Sequence, residues 1–279
     1  MDAKKCAGYH PGMSASAQTF GPLLREWRQR RRVSQLDLAL EGNISARHLS
    51  FLETGRSRPS RDMVLHLAEH LAVPLRERNI LLTAAGFAPA FGERQLDDPA
   101  LAEARAAVEL VIQRHAPYPA TAVDRHWTLI AANDAVRPLL AGVDAELLRP
   151  PVNVMRVALH PAGMAPRIIN YTQWRDHLLD QVRRQAEATA DPVLIALHKE
   201  LRSYPAPRAP RREPPKRDYA GMVVPLELAT DAGVLAFFGT VTVFGTPVDV
   251  TLSEIALECF YPADAKTAEI LRNGALPAK

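Results

Sequence analysis

At 279 residues, 47% hydrophobic and 23% charged with a net charge of +3, the chain has the length for two domains with cores of their own and the composition of an ordinary globular protein. No apolar run reaches the ~18 residues a membrane-spanning helix needs. With only two cysteines, Cys6 and Cys259, a disulfide framework and a cysteine-rich zinc site are both excluded.

Residues 1–17 show no hydrophobic period and are expected to be disordered. They lack the apolar h-region of a signal peptide, which predicts a cytoplasmic protein. Phe20 to Arg32 reads as a first helix with Leu23, Leu24 and Trp27 as core positions. It ends in a basic run, Arg28-Gln29-Arg30-Arg31-Arg32, that suits a solvated face and phosphate contact equally. Arg dominates the basic residues; that favours bidentate contacts to phosphate and guanine, although a GC-rich genome gives the same bias.

Ser34 to Arg58, SQLDLALEGNISARHLSFLETGRSR, reads as two short helices joined by a tight turn. Ser34 is a good N-cap with Asp37 three residues on, and Leu36, Ala39 and Leu40 give the first helix an apolar face. Gly42-Asn43 breaks it. Ser45 caps a second helix with Leu49 and Leu52 inward and Ser45, Arg47, His48 and Ser50 outward. Gly55 ends that helix, and Arg56 and Arg58 follow. The layout is that of a helix-turn-helix, whose second helix presents polar side chains to the DNA major groove. A fourth helix is expected over Ser60–Leu71, with Met63, Val64, Leu67, Ala68 and Leu71 apolar, and a fifth over Leu75–Ala85 before Gly86.

Residues 87–98 read as a linker. A helix follows at Leu101–His115, carrying Leu101, Ala104, Val108, Val111 and Ile112. Residues 121–133 read as a β-hairpin turning at Asp124-Arg125-His126, and Asn133 starts a short helix. Residues 150–203 are helical and rich in Pro, with Leu178, Leu179 and Val182 continuing an apolar face from Trp174. Residues 204–217 hold too many Pro and basic residues to pack a core and are expected to be a mobile loop. Two strands, MVVPLEL and GVLAFFGTVTVF, then TPVDVTLSEIALECFYP and a closing helix at Ala263–Asn273, complete the chain. The expected architecture is multidomain: a five-helix all-α bundle at 18–90, then an α+β domain of PAS-like order with a helical insert at 95–279.

The first part resembles the repressor-like regulators typified by the phage lambda and 434 repressors and by Xre. The matching residues are Ser34-Gln35, Leu52-Glu53-x-Gly55-Arg56 and Pro59-Ser60. The run from Arg47 to Phe91, with DRHWTLIAAND, ALHPAGMAPRIINYTQWRDHLL and ALECFYPAD further on, resembles the MmyB-type regulators, in which a PAS-like ligand-binding domain follows the repressor-like one. That resemblance covers about residues 20–275. It implies a bacterial, nucleoid-associated transcription regulator that binds an inverted-repeat operator as a homodimer and holds a small hydrophobic molecule, such as a fatty acid.

Carried over position by position, base-edge contacts fall on Ser45, Ala46, Arg47, His48 and Ser50. Arg47 is placed to fork a guanine, and Ala46 is limited to a thymine methyl. Gln35, Arg56 and Arg58 are expected on phosphates, and Phe51 in the core. In the second domain the cavity is expected between the sheet and the helices of 150–180. Its apolar walls are Trp127, Leu129, Met155, Trp174, Leu178, Phe238 and Val243; Arg156, His160, Arg167, Asn170 and His177 are the candidate polar anchors. Such apolar residues also serve as plain core, and such polar ones as plain surface. There is no GxSxG, no phosphate-cradling Gly loop and no HExxH, and His160, His177 and His198 lack partners at metal spacing. No catalytic residue, cofactor or metal is therefore expected. The alternative reading makes the second domain a ligand-free dimerisation or protein-interaction module.

Overall fold

The computed structural model describes residues 19–207, 224–243 and 249–274. The expected disordered stretch 1–17 lies outside these residues, as does most of the expected mobile loop at 204–217. The described chain forms two compact units that part between Phe91 and Gly92.

The first unit is all-helical: α1 (Phe20–Arg30), α2 (Gln35–Glu41), α3 (Ala46–Glu53), α4 (Arg61–His70) and α5 (Leu75–Ala84). Three of the starts share one device: the hydroxyls of Ser34, Ser45 and Ser60 accept from the backbone N–H three residues on, satisfying a donor that the helix itself leaves open. Asn43 and Gly55 take positive φ where α2 and α3 stop. The core gathers Leu24, Trp27, Leu38, Leu49, Leu52, Leu67, Leu81 and Leu82, each fully buried aliphatic side chain worth roughly 1.5–3 kcal/mol. Gly21 lets α1 lie directly on the end of α3, since a Cβ there would sit 2.6 Å from the carbonyl oxygens of Leu52 and Glu53.

The inward face of α2 differs from the expected one. Leu38 and Ala39 are buried, whereas Leu36 and Leu40 are 60% and 71% exposed. On a helix of two turns, 3.6-residue periodicity admits either stripe, and packing against its neighbours selects the Leu38–Ala39 side. Helix α1 is also shorter than expected, because Arg32 takes positive φ. The expected linker 87–98 is shared out between the two units. The Asn79 side chain bonds the backbone of Ala90 and Phe91, while Gly92 bridges to Asp249 and Arg94 pairs with Asp249 at 2.9 Å.

The second unit is built on a five-stranded antiparallel sheet in the PAS-like order β2-β1-β5-β4-β3. Its strands are β1 (Ala120–Val123), β2 (Leu129–Ala132), β3 (Leu226–Thr230), β4 (Gly233–Val243) and β5 (Ala256–Pro262). The sequence pattern assigns no strand to residues 256–262, yet β5 lies in the middle of the sheet. Against one face packs α6 (Ala102–Arg114), whose Val108 and Ile112 meet Ala120, Ala122, Leu257 and Cys259. Val111, expected on that apolar face, is exposed. The other face is covered by α7 (Val154–Leu159), α8 (Tyr171–Thr189) and α9 (Pro192–Ser203). A short α10 (Val250–Ser253) leads into β5, and α11 (Ala265–Arg272) closes the unit, capped by Asp264. Asn133 starts the short helical turn Asp134–Leu140, as expected, and its buried side chain turns to Ala120 N, Ile112 O and Tyr118 O, tying β1 to α6.

Candidate DNA interface and ligand cavity

Helix α3 starts at the surface. Ala46 and Arg47 are exposed, Ser45 stands outside as the cap, and His48 and Ser50 are half-buried. The Arg47 guanidinium lies 5.3 Å from the centre of the Phe51 ring, with Arg56 6.0 Å from the same ring. Phe51 is therefore not part of the core cluster, as expected of it, but a half-buried platform that two cations share. Arg58 is exposed beyond the end of the helix.

Beneath this surface lies a network that the sequence reading missed. Arg28, on α1, donates from Nε to Glu53 Oε1 at 2.6 Å and from Nη2 to Oε2 at 3.0 Å; its Nη1 reaches the Val33 carbonyl at 2.9 Å. Gln35 Nε2 donates to the same Glu53 Oε2 at 2.7 Å. Glu53 thus clasps the end of α1, the start of α2 and the end of α3, and its hydrogen bonds raise the Arg28 pKa further. Two expectations change. Arg28 is a buried structural cation rather than part of a solvated basic run, and Arg31 likewise binds the carbonyls of Leu71 and Ala72. Gln35, expected on a phosphate, has its side chain committed to Glu53. The signal was available: an acid within a run that otherwise turns basic, preceded by an inward Leu.

In the second unit, a cavity of about 120 Å³ lies between the sheet and the helices. Of the residues expected to line it, Leu129, Met155, Trp174 and Leu178 do so. Three do not. Trp127 is buried elsewhere, its Nε1 donating to Gln185 Oε1 at 2.8 Å. Phe238 faces the opposite side of β4 and stacks on Tyr261 at 5.3 Å, and its neighbour Phe237 lines the cavity instead. Val243 is 60% exposed.

The expected polar anchors lie apart from this cavity, each held by a structural partner. Arg156 forms a two-pronged pair with Glu200, both bonds at 2.8 Å. His160 accepts from the Ala162 N–H and packs its ring on Tyr204. Arg167 binds the Leu139 carbonyl. Asn170 donates to Pro225 O and accepts from Glu227 N, fastening α8 to β3. His177, stacked obliquely on Trp174 at 5.5 Å, lines a second, adjoining cavity of about 300 Å³ with Gln181, Arg184, Thr240 and Glu258; burial lowers its pKa.

The polar groups that do face the first cavity are others: Thr121 on β1, Glu258 on β5 and Trp174 on α8. Thr121 and Glu258 are direct cross-strand partners. Burial pushes the Glu258 carboxyl up to about 7. Alternation along β5, with Ala256, Glu258 and Phe260 on one face and Leu257 and Cys259 on the other, would have located Glu258 had the strand been assigned. Among the described residues no cluster of His, Cys, Asp and Glu is able to hold a metal ion, and no helix is long and apolar enough to cross a membrane.

Comparison with known families agrees with this division. Residues 24–78 match a helix-turn-helix family model, and residues 104–273 match that of the MmyB-like transcription regulator ligand-binding domain. No curated protein matches the chain. A solved structure described as an RNA-binding light-oxygen-voltage receptor aligns with 94% of this chain and 65% of its own length, at 15% identity and a TM-score of 0.26, a likeness too weak to carry any inference. With a helix-turn-helix ahead of a ligand-binding match that covers more than half of its length, the chain belongs to the MmyB-like transcription regulators and is a ligand-responsive regulator of transcription.

Proposed function

We propose that two copies of this chain bind an inverted-repeat operator through α3, and that a small hydrophobic molecule in the second unit's cavity alters that binding. The observation that carries the ligand half is the cavity itself: an apolar chamber inside a well-packed core, with few polar groups, is the usual form of a small-molecule site. Nineteen-residue α8 supplies two of its walls, Trp174 and Leu178. A fatty acid, the ligand that the family resemblance suggests, matches those walls with its tail.

For the DNA half, Arg47 is the base-reading residue. Seated on Phe51, its guanidinium is held outward in a limited set of orientations, as a fork to guanine O6 and N7 requires. Arg47→Ala is expected to relax preference at one base pair, at a cost of ~1–3 kcal/mol there. An equal loss on every duplex would make Arg47 a phosphate contact instead. Ser45, Ala46, His48 and Ser50 flank it toward the bases, and Arg56 and Arg58 lie toward the backbone. Gln35 reaches a phosphate only by leaving Glu53.

Native mass spectrometry of gently purified protein tests the ligand half. A co-purifying small molecule supports it, and a reproducibly empty second unit favours the dimerisation module. Salt-dependent binding to the chain's own promoter over random duplex tests the DNA half. Deleting one half-site should lower affinity steeply if a dimer reads both.

A further inference from the structure

The cavity's polar end is unusual for a site that accepts a fatty acid. Its walls are aliphatic and aromatic almost throughout, with Leu139, Met155, Leu226, Phe237 and Phe260 among them. Thr121 Oγ1 and Trp174 Nε1 are buried with no hydrogen-bond partner, although buried hydroxyl and indole groups almost always have one. Glu258 stands directly opposite Thr121 on the neighbouring strand and lines the same cavity; burial is what raises its carboxyl pKa. Burial first, and then the Glu258 charge, raise the pKa of the neighbouring Cys259 thiol. The three groups come from β1, β5 and α8, so separate elements aim open polar atoms at one apolar space.

The basic groups on this side of the sheet do not supply the missing charge. Arg184 and His177 line the adjoining cavity, which Glu258 and Trp174 also border, and not this one. Arg184 pairs with Asp180 on its own helix, and burial lowers the His177 pKa, disfavouring its charged form. A ligand carboxylate brought to this end would meet Glu258 with no cation to offset either charge, and two close carboxylates in a dry site cannot both ionise.

We propose that Glu258, Thr121 and Trp174 form the head-group site of this cavity, and that they select an apolar molecule whose polar end carries no negative charge and donates a hydrogen bond. A hydroxyl serves all three: its proton goes to a Glu258 oxygen, and its oxygen accepts from Trp174 N–H and Thr121 O–H. Each bond fills a buried valence that the folded chain leaves open, which is where a ligand hydrogen bond counts most. The proposal rests on the cavity being a ligand site and names the chemistry that it takes.

The test uses the full chain, freed of small molecules, and two probes of equal chain length, 1-octanol and octanoate, followed by calorimetric titration at pH 8. Wild-type protein should bind 1-octanol at least tenfold more tightly than octanoate. Glu258→Gln preserves the shape and removes the charge, so it should shrink that preference to within about threefold. Thr121→Val, which deletes the hydroxyl alone, should weaken 1-octanol binding and leave octanoate unchanged. Octanoate binding as well as 1-octanol in the wild type would overturn the head-group assignment while leaving the cavity as a ligand site, and so would a preference that survives in Glu258→Gln. Failure of both probes to bind would remove the ligand site itself.

Discussion

Two carboxylates define the chemistry of the two units, and they behave in opposite ways. Glu53 is buried but fully paired. Breaking a buried pair by removing one partner leaves the other charge without compensation, so Glu53→Ala should cost ~3–5 kcal/mol, read as a lower urea midpoint for the helical unit. Glu53→Gln keeps the acceptor for Arg28 and should cost clearly less. A loss under about 1 kcal/mol in Glu53→Ala would mean that Arg28 finds water once its partner is gone. Glu258 is half-buried, with burial alone behind its raised pKa. An unfolded glutamate releases its proton near 4.5, but Glu258 in the fold holds it to about 7. The folded state therefore binds more protons between those values. Stability of the second unit should fall as pH rises through that window, by ~3 kcal/mol at most, and then level off. Glu200, held low by Arg156, acts with the opposite sign and at lower pH: its contribution is lost as pH drops through the acid range. Unfolding midpoints at pH 5, 6, 7 and 8 read the slope. If Glu258→Gln shows the same decline as the wild type, another group is responsible.

At the scale of elements, the sequence was most legible where a local rule acts alone. The serine caps at Ser34 and Ser45 follow from an oxygen ahead of an amphipathic run, and both accept the expected bond; Ser60, read as the first helical residue, caps α4 in the same way. Ser45→Ala should therefore cost ~1 kcal/mol and weaken operator binding through a frayed start of α3. If thermal stability stays unchanged, Ser45 acts at the DNA alone. Legibility fell where three-dimensional packing chooses between two faces. In α2 the choice lay between Leu36–Leu40 and Leu38–Ala39, and seven residues carry too few turns to decide. In β4 a shift of one position exchanges Phe237 for Phe238 across the sheet, and only the pairing of Phe238 with Tyr261 on β5 sets the parity. Strand β5 itself was obscured because Glu258 interrupts its apolar pattern. The residue that hid the strand is the one that gives the cavity its polar end. The anchors expected at Arg156, Arg167 and Asn170 failed for a related reason: composition shows which groups want partners, but not that Glu200, Leu139 and Pro225 already supply them.

At the scale of the whole molecule the question is whether the two units share free energy. A ligand that lies wholly within one unit changes DNA binding only if the states it distinguishes are also distinguished by the operator. Linkage then makes the effect reciprocal: if ligand alters operator affinity by some factor, operator alters ligand affinity by the same factor, commonly 5–150-fold. The expected outcome is thus a matched pair of numbers. Operator affinity is measured with the cavity empty and then saturated with 1-octanol, and 1-octanol affinity is measured without and with operator DNA. Salt is held constant throughout, because counterion release alone moves the DNA constants by orders of magnitude. Trp174→Ala should abolish both shifts together while leaving operator affinity in the absence of octanol within a few fold, since Trp174 belongs to the cavity and not to α3. A factor of one in both directions would mean that the cavity and the DNA head do not communicate through this probe, and would assign the second unit to assembly of the dimer.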